Sequence, residues 1–197
     1  MGINIAIFGS GSGTNAENII QYFESNPFIK VALVLSNKAD AYILERARLH
    51  HIPSVVYTKS EFQNEDGLLA LLGEHKVDFV VLAGFLLQIP VALIHAYPNK
   101  IVNIHPALLP NYGGKGMYGN RVHEAVIAAG DKQSGITIHY IDEHYDSGSI
   151  IFQTTCDVLP TDTSDDLAAK VQTLEYKYFP KVIEETIHKE FKLSSDQ

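Results

Sequence analysis

The chain has 197 residues, a formal net charge of −8, one cysteine and nine histidines, a length that suits one domain able to bury a sheet with helices on both faces. The acidic balance excludes general binding to nucleic acid or an anionic membrane surface, which need many Lys and Arg contacts, but not one small phosphorylated ligand held by backbone N–H groups. Cys156 alone can form neither an internal disulfide nor a cysteine zinc set, and no basic leader or run near the ~20 apolar residues that span a bilayer is present, so a complete, cytoplasmic protein is expected.

Residues 3–8 are an apolar, β-rich run. Gly9, Gly11, Gly13, Thr14 and Asn15 then open a helical segment that reaches residue 25, with Ile19, Ile20 and Phe23 at helical spacing. Strand, glycine loop and helix together form an anion cradle, because small residues let backbone N–H groups approach a phosphate at the helix amino end. A dinucleotide fold would need Gly where Thr14 stands and an acid where Ser36 and Asn37 stand, and a P-loop would need a Lys after the last glycine. A single-phosphate site and a simple tight turn both remain open.

Residues 30–35 predict a second buried strand and 41–50 a helix, with Leu44, Ala47 and Arg48 dividing a packed face from a wet one. His50 and His51 end that helix, where positive charge suits the dipole, and are read as structural. A short strand over 55–57, a helix over 61–75 and a strongly apolar strand over 77–82 follow. Ala83 and Gly84 allow close approach at that strand's end, and residues 85–89 add an apolar wall. This is either half of a pocket for a flat ring or a buried turn into a helix that Pro90 initiates.

A short strand over 100–104 sends Asn103 and His105 to one face, and Pro106 stops the ladder because it has no N–H to donate. An amide beside an imidazole at a strand's carboxyl end reads as a catalytic pair, or as polar residues capping a loop. Residues 111–119 are glycine-rich and a candidate mobile lid. A helix over 121–129 closes at Gly130, and strands over 134–141 and 150–158 flank an acidic turn at 142–148. The Thr- and Asp-rich stretch from Thr161 to Asp166 caps a helix over 167–179 that carries Gln172 and Glu175 on one side. Pro180 is expected to interrupt it before a second helix over 182–188. The predicted fold is α/β: a Rossmann-like, doubly wound, mostly parallel sheet with an antiparallel edge hairpin, forming a single domain over 1–190 followed by a tail at 191–197.

Taken together, Gly9 to Asn15, Ser36 to Asp40, Val80 to Phe85, Asn103 to Pro110, Gly135 to His139, Asp146 to Ile150 and Val171 to Glu175 closely resemble the phosphoribosylglycinamide formyltransferase family, the folate-dependent transformylases of purine (IMP) synthesis. The string around His105 marks the wider group of formyl-transferring enzymes, and the glycine loop with the Gln172 and Glu175 helix points to this member. The resemblance implies the formyltransferase fold, with a phosphate-binding half over 1–100 and a folate-binding, catalytic half over 101–190. It implies Asn103, His105 and Asp146 as the catalytic trio and Gly13, Thr14, Asn15, Gln172 and Glu175 as ligands of the ribonucleotide. Leu86, Leu87, Gln88 and Ile89, with Asn103, Asp142, Glu143, His144, Tyr145 and Asp146, would form the folate pocket. Leu87 stands where better-known bacterial members carry Arg, the lid is longer, and the region near Asn64 lacks a basic residue often found there.

The chemistry fits these residue types independently. Attack of an amine on a formamide builds a tetrahedral oxyanion, and each aimed donor contributes on the order of 3 kcal/mol to lowering the barrier. Asn103 and a protonated His105 would be those donors, with Asp146 raising the His105 pKa and taking up the amine's proton. No metal is expected, because the spacing of His105, His139, His144 and Asp146 matches no helical His pair of zinc hydrolases, and His139 is read as a supporting or merely packed residue. The leading expectation is formyl transfer from the co-substrate 10-formyltetrahydrofolate to the amine of phosphoribosylglycinamide, by a monomer or homodimer with small-molecule partners only. A formyltetrahydrofolate hydrolase, a methionyl-tRNA formyltransferase and a non-catalytic nucleotide-binding module are the alternatives. The first lacks its extra amino-terminal domain here, the second its basic carboxyl-terminal domain, and the third would not need the trio.

Overall fold

A computed structural model describes residues 2–193. Five strands form the parallel body of the sheet: β1 (Ile3–Phe8), β2 (Ile29–Ser36), β3 (Ser54–Val56), β4 (Phe79–Leu82) and β5 (Ile101–His105). The last two, β6 (Gln133–Tyr140) and β7 (Ile150–Asp157), add an antiparallel hairpin at one edge, giving the order β3-β2-β1-β4-β5-β6-β7. The expected doubly wound architecture is therefore present. Central strands such as β4 are buried along their whole length, as strands covered on both faces must be.

The chain winds outward from β1 in one direction to β3, then restarts at β4 and winds in the other. The crevice between the carboxyl ends of β1 and β4 is thus a topological switch point, where open α/β sheets bind ligands. Ser10 braces it. Its hydroxyl donates to Asn37 Oδ1 at 2.5 Å and accepts from Leu86 N at 3.0 Å, tying together the loops after β1, β2 and β4.

Helices α1 (Thr14–Phe23), α2 (Tyr42–Leu49), α3 (Glu65–Glu74), α4 (Val91–Ala96), α5 (Asn120–Ala129) and α6 (Ser164–Glu190) cover the two faces. In α2 Ile43 and Ala47 are buried, Leu44 is partly buried against the same core and Arg48 is exposed, so the packed and wet faces divide as expected and Ile43 joins the packed one. The helix expected over 61–75 is split. A single 3-10 turn precedes Asn64, whose side chain accepts from Gly67 N and caps α3, because a capping side chain competes with continued helix for the same N–H.

Pro180 does not interrupt α6, contrary to expectation: one helix of 27 residues runs through it. The carbonyl that loses its partner to the proline is that of Tyr176, four residues back, and Asn18 Nδ2 donates to it at 2.9 Å. The same flank of α1 places Asn15 Nδ2 on Glu175 Oε2 at 2.8 Å and Tyr22 Oη on Glu184 Oε2 at 2.6 Å. A row of polar residues at helical spacing on α1 therefore sets the position of α6. The tail also differs from expectation, since Phe191 and Leu193 pack against the core and Lys100 Nζ lies 4.8 Å from the Phe191 ring centroid; residues 194–197 lie outside the described part. No helix among the described residues is long and apolar enough to cross a membrane.

Candidate active site

A cavity of about 1010 Å³ opens at the switch point and runs from the loop after β1, past the end of β5, to the segment before α5. Its first wall is the glycine loop. Gly13 sits at φ 71° and a Cβ there would lie 2.7 Å from the backbone of Ile43, so only glycine fits. The carbonyls of Gly11, Ser12 and Gly13 are taken by Ile43 N, Arg46 Nε and Glu17 N. The first N–H groups of α1 remain as donors facing the cavity end, the arrangement a phosphate requires. Thr14, Asn15, Gln172 and Glu175 line the same end. Asn15 Oδ1 is sealed from solvent without a partner, and burial pushes the Glu175 carboxyl above its ordinary range, only partly offset by the bond from Asn15.

The second wall is the end of β5. Antiparallel register sets Asn103 opposite His139 and His105 opposite Thr137. His139, fully buried, has Nδ1 2.8 Å from the carbonyl of Tyr140, so Nδ1 carries the proton and Nε2 is an acceptor. Asn103 Nδ2 lies 3.1 Å from that Nε2 and must donate to it, which fixes the amide's orientation and leaves its second N–H and its Oδ1 for a ligand. The β6–β7 ladder shifts register between Ile138 and His139, a local irregularity of the kind found beside active sites.

His105 is 3% exposed, and its Nε2 donates to the Tyr112 carbonyl at 2.8 Å. Its Nδ1 therefore faces Asp146 Oδ2 at 3.6 Å, while Asp146 Oδ1 lies 3.7 Å from His139 Nε2. Asp146 and Tyr112 both hold positive φ, 53° and 58°, a conformation uncommon outside glycine and concentrated at functional sites. Gly114 N donates to Asp146 Oδ2 at 2.8 Å and anchors the carboxylate. Asn103, His105 and Asp146 thus converge from separate parts of the chain.

One expectation about their charge is corrected. Burial is the dominant influence on His105 and holds it below the ordinary histidine value, and the nearby Asp146 carboxylate only partly offsets it. The resting imidazole is neutral, with its lone pair at Nδ1.

Of the residues expected around a folate, Leu86, Asn103, Tyr145 and Asp146 line the cavity. Ile89 is buried in one apolar cluster with Phe8, Leu82 and Leu93, and Leu87 packs against it. Gln88 Nε2 reaches the Glu143 carbonyl at 3.1 Å, closing the 86–89 segment onto the acidic turn. Asp142 caps that turn by accepting from His144 N and Ser147 Oγ, and His144 and Glu143 are exposed.

Three contributors escaped the sequence reading. Thr137 Oγ1 donates to Ala107 O and accepts from Leu109 N and from Gln153 Nε2, which together hold the loop after His105. His123 on α5 also lines the cavity, nine-tenths buried. Its spacing with Val122 and Val126 on an apolar helix face was the available signal.

Residues 3–183 match the family described as formyl transferase. The chain is 42% identical over 185 residues to the chloroplastic phosphoribosylglycinamide formyltransferase of Arabidopsis thaliana, covering 91% of this chain and 63% of that one, so it spans less than two thirds of that relative's length. It is 36% identical over 187 residues to the phosphoribosylglycinamide formyltransferase of Bacillus subtilis (strain 168), covering 92% and 93%. The crystal structure of the Bacillus halodurans phosphoribosylglycinamide formyltransferase superposes with a TM-score of 0.85 at 37% identity, covering 98% of this chain and 100% of that one.

Proposed function

The chain belongs to the formyl transferase family, among the phosphoribosylglycinamide formyltransferases, and from that premise we propose that it moves the formyl group of 10-formyltetrahydrofolate onto the primary amine of 5-phosphoribosylglycinamide. The observation that carries this reading is that one cavity is lined both by the glycine loop and by Asn103, His105 and Asp146, which converge there. Residues 1–190 act as one domain: the first hundred supply the cradle, and the remainder supplies the catalytic corner and the α6 residues that reach back to the ribonucleotide. Two small substrates in the cavity suffice, without nucleic acid or metal, in the cytoplasm, whether the chain acts as a monomer or a homodimer.

The N–H groups of the glycine loop and of α1 hold the phosphate, and Thr14, Asn15, Gln172 and Glu175 hold the ribose and the arm beyond it. Phe85 and Leu86 offer the apolar side on which a flat ring lies, while Tyr145 and Asp146 close the opposite side. Attack forms a bond from the amine nitrogen to the formyl carbon, turns the carbonyl oxygen into an oxyanion, and leaves one excess proton on the amine. Asn103 aims its second N–H at that oxygen, already oriented by His139, so no reorganisation is needed as charge develops.

His105 contributes through its poise. With Nε2 committed to Tyr112, the ring can gain a proton only at Nδ1, facing Asp146. Burial disfavours that charge at rest, but a growing oxyanion beside the ring favours it, so the one proton the amine sheds, relayed by Asp146 or water, comes to Nδ1 and makes the imidazole a charged donor mainly in the transition state, where it accelerates the step. As the oxyanion collapses and the old carbon–nitrogen bond breaks, that same proton passes back by way of Asp146 or water to the folate nitrogen, and the imidazole is neutral again. The test is an absorbance assay for loss of formyl-folate, run with and without the ribonucleotide. Loss that depends on the ribonucleotide supports transfer, and equal loss without it makes the protein a hydrolase instead.

A further inference from the structure

Of the three carbonyls in the glycine loop, two are held by α2, and one of those by a side chain. Gly11 O accepts from Ile43 N at 3.1 Å and Ser12 O from Arg46 Nε at 2.8 Å. In a trans peptide the carbonyl and the N–H that follows it point in opposite directions. Carbonyls turned toward α2 therefore turn the N–H groups of Ser12 and Gly13 away from it. That direction is the cavity, which Gly11, Ser12 and Gly13 line and no residue of α2 does. The bond at Gly11 joins backbone to backbone, whereas the bond at Ser12 depends on which residue stands at 46.

Arg46 is itself fixed from several sides. Its Nη1 lies 3.2 Å from Glu17 Oε2 in the first turn of α1, and its Cζ lies 5.1 Å from the Tyr42 ring centroid. The other oxygen, Glu17 Oε1, is 2.6 Å from His50 Nε2 at the end of α2. Burial pushes the Glu17 carboxyl up, but the bonds from His50 and Arg46 outweigh it and hold the group below its ordinary value, so it is ionised. A guanidinium serves a carboxylate and a carbonyl at once because its donors diverge at fixed angles, while an ammonium presents a single nitrogen. An uncompensated carboxylate one turn into α1 would also repel a phosphate at the helix end, and Arg46 cancels that charge.

Resting on the transferase reading, in which the loop holds the phosphate, we propose that Arg46 is a positioning residue for the acceptor substrate: it touches no ligand, but by pinning the Ser12 carbonyl against α2 it aims the Gly13 N–H at the phosphate. The loop then meets its ligand already oriented, and no binding energy goes into turning the peptide. The effect is confined to ligands that carry a phosphate, and the folate does not feel it.

The experiment compares wild type with Arg46→Met and Arg46→Lys. In the Met variant KM for the ribonucleotide rises about tenfold, the effect of losing one charge-assisted hydrogen bond. The calorimetric Kd of inorganic phosphate weakens by the same factor, while KM for the formyl-folate holds. On the dephosphorylated acceptor, ribosylglycinamide, variant and wild type have equal kcat/KM, a result that general damage to the fold would not give. The Lys variant keeps the charge but cannot serve both acceptors, and it shows most of the same loss. In wild-type protein, proton–nitrogen NMR finds the Arg46 Nε–H exchanging with water far more slowly than that of the exposed Arg121, and the Gly13 amide moving as inorganic phosphate saturates; neither readout needs a variant to fold. Rapid Nε–H exchange, a still Gly13 amide, or an equal loss on the dephosphorylated acceptor overturns the proposal. So does wild-type affinity in the Lys variant, since charge alone would then be the cause. Wild-type protein that consumes formyl-folate without regard to the ribonucleotide overturns the transferase reading, whereas the phosphate Kd still decides the role of Arg46.

Discussion

The two ends of the cavity are built on opposite principles. In the proposed reaction, recognition at the cradle falls to the backbone: a glycine at positive φ, the first N–H groups of α1, and one side-chain pair, Asn15 with Glu175, spanning two helices. At the corner to which the proposal assigns catalysis, side chains take that part, and strand register places them. Asn103 faces His139 across the β5–β6 ladder, and Asp146 comes within 4 Å of both histidines, at 3.6 and 3.7 Å. The cradle needs little burial because backbone dipoles are oriented by the helix itself. The corner needs burial, because buried donors are worth more and the protonation states of the histidines depend on it. The difference teaches that damage at the first end should weaken binding, whereas damage at the second should slow turnover.

The largest effect falls on the corner. His105→Ala and Asp146→Asn each lower kcat by roughly 10²- to 10⁴-fold, with the ribonucleotide Kd from calorimetry unchanged; a matching loss of affinity would erase the division between the two ends. Next comes the orientation of the amide. His139→Leu removes the acceptor that holds Asn103, and kcat is expected to drop by about 10²-fold, the scale of a small misplacement. Both KM values should hold, and steady-state kinetics on the purified variant reads this directly.

Changes at the cradle are smaller and of the other kind. Glu175→Ala strips Asn15 of its partner, so the ribonucleotide Kd should weaken about tenfold while kcat at saturation survives; a collapse of kcat with intact affinity would show that the ends are exchanged. Gly13→Ala brings a Cβ to 2.7 Å from the Ile43 backbone at a φ that suits glycine, so stability should fall by about 1–3 kcal/mol, read by urea unfolding, together with ribonucleotide affinity.

The mildest test uses pH. Burial holds His105, His123 and His139 below the ordinary histidine value. The unfolded chain therefore takes up more protons than the folded one as the pH drops below about 6.5. Stability is full above that point and declines as the pH falls toward the folded-state values. Melting temperatures taken downward from pH 7.5 should show this, and the His123→Gln variant should show a shallower decline.

Much of this was legible in the chain because it is local. Residues 3–8, then Gly13, read as strand and cradle from their own composition, and Pro106 after His105 marked a strand end whose polar residues share a face. Elements that distant partners decide were less legible. Pro180 stays within a helix because Asn18, far away in sequence, satisfies the carbonyl it frees. Asn64 splits an expected helix because its side chain captures Gly67 N. Thr137 and His123 carried no local signal beyond a polar residue on an apolar face.

The residue types and their order, by themselves, determined the α/β winding, the glycine loop before α1 and the amide and imidazole that share a face at one strand's end, since these follow from periodicity, chain stiffness and functional-group chemistry; the carboxylate was implied only by the family resemblance. Only the tertiary structure decided which ring nitrogen of His105 and His139 bears a proton, which way Asn103 points, and that His105 rests uncharged. Those properties belong to burial and to partners brought in from elsewhere in the chain, and an imidazole's charge is set by what surrounds it.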